Sequence, residues 1–123
     1  MIHRIDSKIS KVRAHLLAGN DITPLKALGL YGVFRLASDI SRLRDEMIIL
    51  SAIRTAPNGA TYAEYQIPKL GMEVLHAGFT ERGVGEVVAS LPDGFSPYFR
   101  VYWPGINDHR TYNRDNQQDV CAV

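Results

Sequence analysis

Between residues 22 and 67, two turns that depend on glycine, at Gly32 and at Pro57-Asn58-Gly59, cut the chain into pieces too short to be stable alone. Thr23-Pro24 opens the first piece. The threonine hydroxyl suits a free backbone N–H of a helical first turn, and proline at the first helical position has no N–H to lose. A helix is expected over residues 24–31, with Leu25, Leu28 and either Leu30 or Tyr31 turned inward. Gly29 inside it costs about 1 kcal/mol relative to alanine, which predicts the close approach of another helix. Gly32 supplies the left-handed backbone of a sharp turn, with Ala27 five residues before it. In residues 35–44, Leu36, Ile40 and Leu43 share one helical face, and Arg35, Ser38, Asp39 and Arg42 share the other. A β-branched run over residues 48–55, the Pro57-Asn58-Gly59 turn and a second run over residues 60–67 predict a hairpin.

Upstream, Ile5, Ile9, Val12 and Leu16 keep a helical period, so residues 6–18 form a further helix, capped by Asp6 or Ser7 and ended by Gly19-Asn20. Lys8, Lys11 and His15 fall on its outer side. Three helices followed by a hairpin make a winged helix-turn-helix over residues 1–67, with residues 35–44 as the recognition helix. Its outer face suits duplex DNA. Arg35 and Arg42 bond guanine edges or phosphates, and Ser38 bonds either. Asp39 is repelled by phosphate, so it accepts from a cytosine amino group or pairs with Arg35 or Arg42 at helical spacing. Arg54 and Asn58 lie on the hairpin, within reach of an adjacent backbone or minor groove. A solvated amphipathic face is the plainer reading of the helix alone; the Gly32 turn and the hairpin favour DNA.

These residues resemble a known family. Ile22-Thr-Pro-Leu-Lys-Ala-Leu28, Tyr31-Gly-Val-Phe-Arg-Leu-Ala37 and Ile40-Ser-Arg-Leu-Arg44, ending in Pro57-Asn-Gly59, look like the small helix-turn-helix domain common in bacteriophage and prophage genes. The resemblance covers about half the chain. It implies DNA binding by phage-encoded regulators or accessory proteins, and no catalytic residues. Asp39 departs from it, standing where a neutral or basic residue is expected.

Residues 68–71 read as a connector. After it, short β runs over residues 72–75, 84–91, 98–103 and 109–113, with a last one near Val120, alternate with turns at Pro92-Asp93-Gly94 and Pro104-Gly105. This spacing predicts a barrel of about five strands over residues 72–123. Val74-x-His76, Gly83-x-Gly85-x-Val87 and Val101-x-Trp103, with Arg110 and Val120 behind, are similar to the Tudor-like and SH3-like barrels of bacterial transcription and repair factors. Some of those bind RNA polymerase and others nucleic acid. Alternation sends Phe99, Val101 and Trp103 to one face and Tyr98, Arg100 and Tyr102 to the other. The second set has the Tyr/Arg composition of a protein-binding hot spot. The fold class expected for the whole chain is thus α+β.

Charge supports a division of roles. Residues 1–70 hold ten Lys/Arg against six Asp/Glu, a net +4, and residues 71–123 hold four against seven, a net −3. A basic half suits a polyanion and an acidic half does not. Cys121 is the single cysteine, so an internal disulfide and a Cys-rich zinc site are excluded. The four histidines lack metal-ligand spacing, and Gly83-Val84-Gly85 lacks the third glycine of a dinucleotide loop. No enzyme activity, metal or cofactor is expected. The Asn116-Gln117-Gln118-Asp119 run reads as a solvated tail. No apolar run approaches the ~18 residues that span a bilayer, and the start lacks a signal-peptide core, so a cytoplasmic location is expected. The reading is a phage or mobile-element transcription regulator that binds duplex DNA through the first half and a protein partner through the second. The alternative is an adaptor or inhibitor of a host complex that uses the winged helix as a protein-binding surface. Many winged-helix proteins read paired half-sites as dimers, which leaves a homodimer open.

Overall fold

Side-chain caps set the helix starts. In the computed structural model, which describes residues 7–90 and 98–123, the Ser7 hydroxyl accepts from the Ser10 N–H at 3.4 Å and starts α1 (Lys8–Leu17). Thr23 accepts from the Lys26 N–H at 3.2 Å and starts α2 (Pro24–Tyr31), which Gly32 ends at φ 68°. α3 (Leu36–Leu43) buries Leu36, Ile40 and Leu43, the stripe its sequence period predicts. Asp6 and the turn at residues 92–94 lie outside the described residues.

The inward face of α2 differs from the expectation. Leu25 is 80% exposed and Leu30 60%, while Ala27 is fully buried. The packed stripe is Thr23, Ala27 and Tyr31, four residues apart, because the Thr23 cap and the Ile22–Tyr65 bridge fix the rotation of the helix. Gly29 consequently meets no neighbour: a Cβ built there finds nothing within 4 Å. His15, expected on an outer face, is half-buried, with Nδ1 2.8 Å from the Tyr31 hydroxyl and Nε2 2.8 Å from the Asp21 carbonyl. A carbonyl only accepts, so Nε2 donates, and in the neutral ring Nδ1 accepts from Tyr31.

The hairpin β1 (Leu50–Thr55) and β2 (Thr61–Gln66) pairs Leu50 with Gln66 and Thr55 with Thr61. At its tip the Asn58 side chain accepts from the Ala60 N–H at 2.9 Å. The remaining strands, β3 (Glu73–His76), β4 (Gly85–Ala89), β5 (Tyr98–Trp103), β6 (Asp108–Asn113) and β7 (Val120–Ala122), form one antiparallel sheet in the order β6-β5-β4-β3-β7. It curls into a half-barrel. β5 buries Phe99, Val101 and Trp103, the set its alternation predicts. Trp103 lies over Gly85, where a Cβ would sit 2.7 Å from the indole and 2.6 Å from Val101. Any side chain at 85 therefore displaces the largest residue of this core.

Two apolar clusters result. One gathers Val12, Leu16, Ala27, Leu36, Ile40 and Leu43 with Ile49 and Tyr65. The other gathers Val74, Val87, Phe99, Val101, Trp103 and Val120, and takes Ile48, Leu50 and Ala52 from the N-terminal half. The run of residues 47–50 that leads into β1 thus lies between them, its successive side chains entering alternate clusters, and β7 lies beside β1. The stretch expected as a solvated tail closes this junction. Gln117 is 2% exposed. Its carbonyl accepts from the Ile49 N–H at 2.8 Å, and its amide lies 3.2 Å from the Arg44 carbonyl, 3.3 Å from that of Met47 and 3.1 Å from that of Arg114. Arg44 covers the other side of the same residue, bonding the Ile49 carbonyl through Nε and Nη2 at 3.1 and 2.9 Å. Composition misread this run because polarity alone cannot distinguish a solvated amide from one whose bonds are all met inside.

Leucine at 117 would strand the Ile49 N–H and up to three carbonyls at about 1–3 kcal/mol for each fully buried group. Gln117→Leu is expected to lower stability by roughly 2–4 kcal/mol, read as a lower urea midpoint. An unchanged midpoint would show that the Gln117 bonds do not hold the junction.

Candidate functional site

α3 owes its position to the apolar stripe that docks on α1 and α2. This fixes what the opposite face presents. Arg35 holds the position before the helix and makes no side-chain cap bond. Its guanidinium, the Asp39 carboxylate and the Arg42 guanidinium line an open groove of about 420 Å³, together with Lys8, Ile9, Val33 and Phe34. Phe34 is 82% exposed. Lys8 donates to the Gly32 carbonyl at 2.9 Å and stands 5.8 Å from the centre of the Phe34 ring. Ser38 is exposed on the same helix.

The basic side chains divide sharply. Arg13 pairs with Glu46, Lys26 with Asp21, Arg54 with Glu64 and Arg110 with Asp108. Lys8, Arg44, Lys69 and Arg114 bond backbone carbonyls, Arg82 bonds Tyr112, and Arg100 bonds Thr111. Of the described Lys and Arg side chains, Lys11, Arg35 and Arg42 alone are left with no ion pair or hydrogen bond. Asp39 pairs with neither arginine, although both are at helical spacing from it. Arg35, Asp39 and Arg42 line one groove, Arg35 from just before the helix rather than within it. Arg54 is held within the fold, 3.1 Å from Glu64 and 3.0 Å from the Val123 carbonyl. Asn58 serves its own turn.

A second groove, of about 510 Å³, runs between the start of α2 and the hairpin tip, with Pro24, Leu25, Ala56, Pro57 and Tyr62 on its walls. On the C-terminal sheet, Tyr98 and Arg100 are exposed on the outer face of β5, and Tyr102 is partly covered. The Tyr102 hydroxyl bonds the Asn107 side chain at 2.8 Å, and its ring lies 5.2 Å from that of His109. Arg100 reaches Thr111 at 3.4 Å.

One polar cluster has no clear sequence signature, since its members are spread over residues 76–112. Buried His76 accepts at Nδ1 from the Gly78 and Phe79 N–H groups, at 3.0 and 3.1 Å. The Tyr112 hydroxyl accepts from Arg82 at 3.1 Å and from the Trp103 indole at 3.0 Å. The Arg82 guanidinium lies 4.6 Å from the Phe79 ring centre. Burial first and Arg82 second hold the His76 pKa below its ordinary 6.5, against the weaker opposing pull of Asp119 and Glu81. No group of three or more His, Cys, Asp or Glu side chains among the described residues is placed to hold a metal ion. Comparison of the chain with family profiles, curated proteins and solved structures found no match.

Because the folded pKa lies below the unfolded one, the neutral ring stabilises the fold fully above 6.5, and that stability is lost as pH falls from there toward the folded value. The urea midpoint should drop on acidification through this window. His76→Asn, whose side-chain oxygen accepts the same two N–H groups without titrating, should flatten the drop. An equal pH slope in both proteins would remove His76 as its source.

Proposed function

We propose that the protein binds duplex DNA as a winged helix-turn-helix, with α3 entering the major groove and the C-terminal sheet acting as an SH3- or Tudor-like half-barrel that holds a protein partner. One observation carries the reading: Arg42 on α3 and Arg35 just before it are left without partners in a chain whose other described Lys and Arg side chains, Lys11 apart, are engaged. Leaving guanidinium groups unpaired on a helix fixed by its opposite face suits a polyanion whose base edges lie in a groove. The Phe34 ring and the open groove beside them favour a large ligand over a small one. The resemblance to phage helix-turn-helix domains places this activity in a transcription regulator of phage or mobile-element type, acting in the cytoplasm. The −3 charge of the second half keeps that half off the phosphates and suits a protein such as RNA polymerase. Dimerisation on paired half-sites is compatible with this arrangement. No catalytic step or cofactor is proposed.

A second reading, an adaptor or inhibitor of a host complex that does not touch DNA, is favoured by a different observation. Leu25 and Phe34 are 80% and 82% exposed, on walls of the two grooves that flank α2. Large apolar side chains lining open grooves suit a protein surface better than a phosphate backbone.

Arg35→Ala with Arg42→Ala should weaken duplex binding by about 1–3 kcal/mol for each guanidinium that bonds a base edge, and should reduce the steepness of its salt dependence. The far-ultraviolet circular dichroism should not change. Wild-type protein that retains no duplex at low salt would select the adaptor reading.

Replacement of Tyr98 and Tyr102 by alanine should leave DNA affinity within about twofold of wild type, because both lie on β5, apart from the α3 groove, and distant sites act nearly independently. It should reduce capture of purified RNA polymerase. A folded double variant that keeps the polymerase and loses DNA would reverse the roles of the two halves.

A further inference from the structure

We infer that Asp39 selects a cytosine in the major groove, an inference that rests on the DNA-binding reading above. Arg35, at the position before α3, and Asp39 and Arg42 on it line the same groove. A seven-residue stripe of a helix in the major groove covers about three successive base pairs. Asp39 therefore sits among the groups that would meet base edges.

The carboxylate has no internal purpose that consumes its acceptors. It makes no ion pair with Arg35 or Arg42, and Lys8, the other cation lining the same groove, is bonded to the Gly32 carbonyl. Of the two roles open to it from sequence, internal pairing and base contact, the first is not realised. An unneutralised carboxylate brought onto a duplex is repelled by phosphate. It is tolerated where a base presents a donor. In the major groove the donors are the amino groups of cytosine and adenine. Adenine sets its amino group beside the N7 acceptor, which opposes a second carboxylate oxygen, whereas cytosine offers a donor alone. The guanine paired with that cytosine turns O6 and N7 into the same groove, where either flanking arginine can bond both. This set of side chains thus fits a G·C pair, with the carboxylate on the cytosine and a guanidinium on its guanine or on a neighbouring one.

A structural role is also available. Asp39 lies in the first turn of α3, where a negative charge is favoured by the helix dipole. That role affects stability and leaves base preference alone, so the two are separable.

The test is selection by the full-length protein from a pool of random duplexes at low salt, followed by titration of the enriched duplex. Wild type should enrich cytosine at one position, and changing that base should weaken binding ~10-fold or more. Asp39→Asn offers the amide that pairs with adenine, and should move the preference at that position from cytosine to adenine. Asp39→Ala should abolish the preference there while tightening binding to unrelated duplexes, since a repulsive charge is gone. If both variants fold, bind DNA and enrich the same base as wild type, the inference is overturned and the DNA-binding reading stands. A lowered melting temperature with unchanged base preference would assign Asp39 to the helix dipole alone. A wild-type protein that retains no duplex overturns both.

Discussion

The junction depends on Ile49, whose two backbone polar groups are both met by side chains. Its N–H is taken by Gln117, 68 residues away in sequence, and its carbonyl by Arg44. A donor or acceptor left unmatched in such a place costs more than a single good hydrogen bond contributes, so the bonds act chiefly by excluding alternatives. They hold the Gln117–Asp119 turn, the start of β7 and the chain between α3 and β1 in one relation. With that relation set, the run of residues 47–50 can be shared between both cores.

The same matching of partners shapes the surface. A chain that binds a polyanion must keep cations unpaired on one face without destabilising the rest. Most described Lys and Arg side chains are tied to carboxylates, carbonyls or hydroxyls, and the exceptions are on α1, on α3 and at the residue before α3. The acidic excess falls in the second half of the chain. Charge is thus partitioned by pairing as well as by composition, and a net charge of +1 conceals this.

The elements with local signals were legible in sequence. Thr23-Pro24, Gly32, the Leu36–Ile40–Leu43 period and the alternation of β5 each act through neighbours a few residues away, and each appears as read. Asp39 and Arg42 share one side of α3 as helical period places them, whereas Arg35, read as part of the helix, stands just before it. What sequence could not supply was the rotation of α2. Its leucines outrank Ala27 in apolarity, yet the backbone bridge from Ile22 to Tyr65 decides which side faces in. The environments of Gln117 and His15 depend on distant partners, which composition does not encode. The exposure of Phe34 had no periodic signal, since it lies between two helices.

A run whose successive side chains enter different cores restricts how such a chain can be recombined. Leu50 and Ala52 are sized for the C-terminal sheet, while Ile49 and, across the hairpin, Tyr65 are sized for the helices. A recombinant that joined these helices to an unrelated sheet at the connector would carry half of a foreign interface with it. The seam along which this chain can be cut and respliced therefore follows side-chain volumes in the run of residues 47–50, and inheritance of either half brings selection on the other.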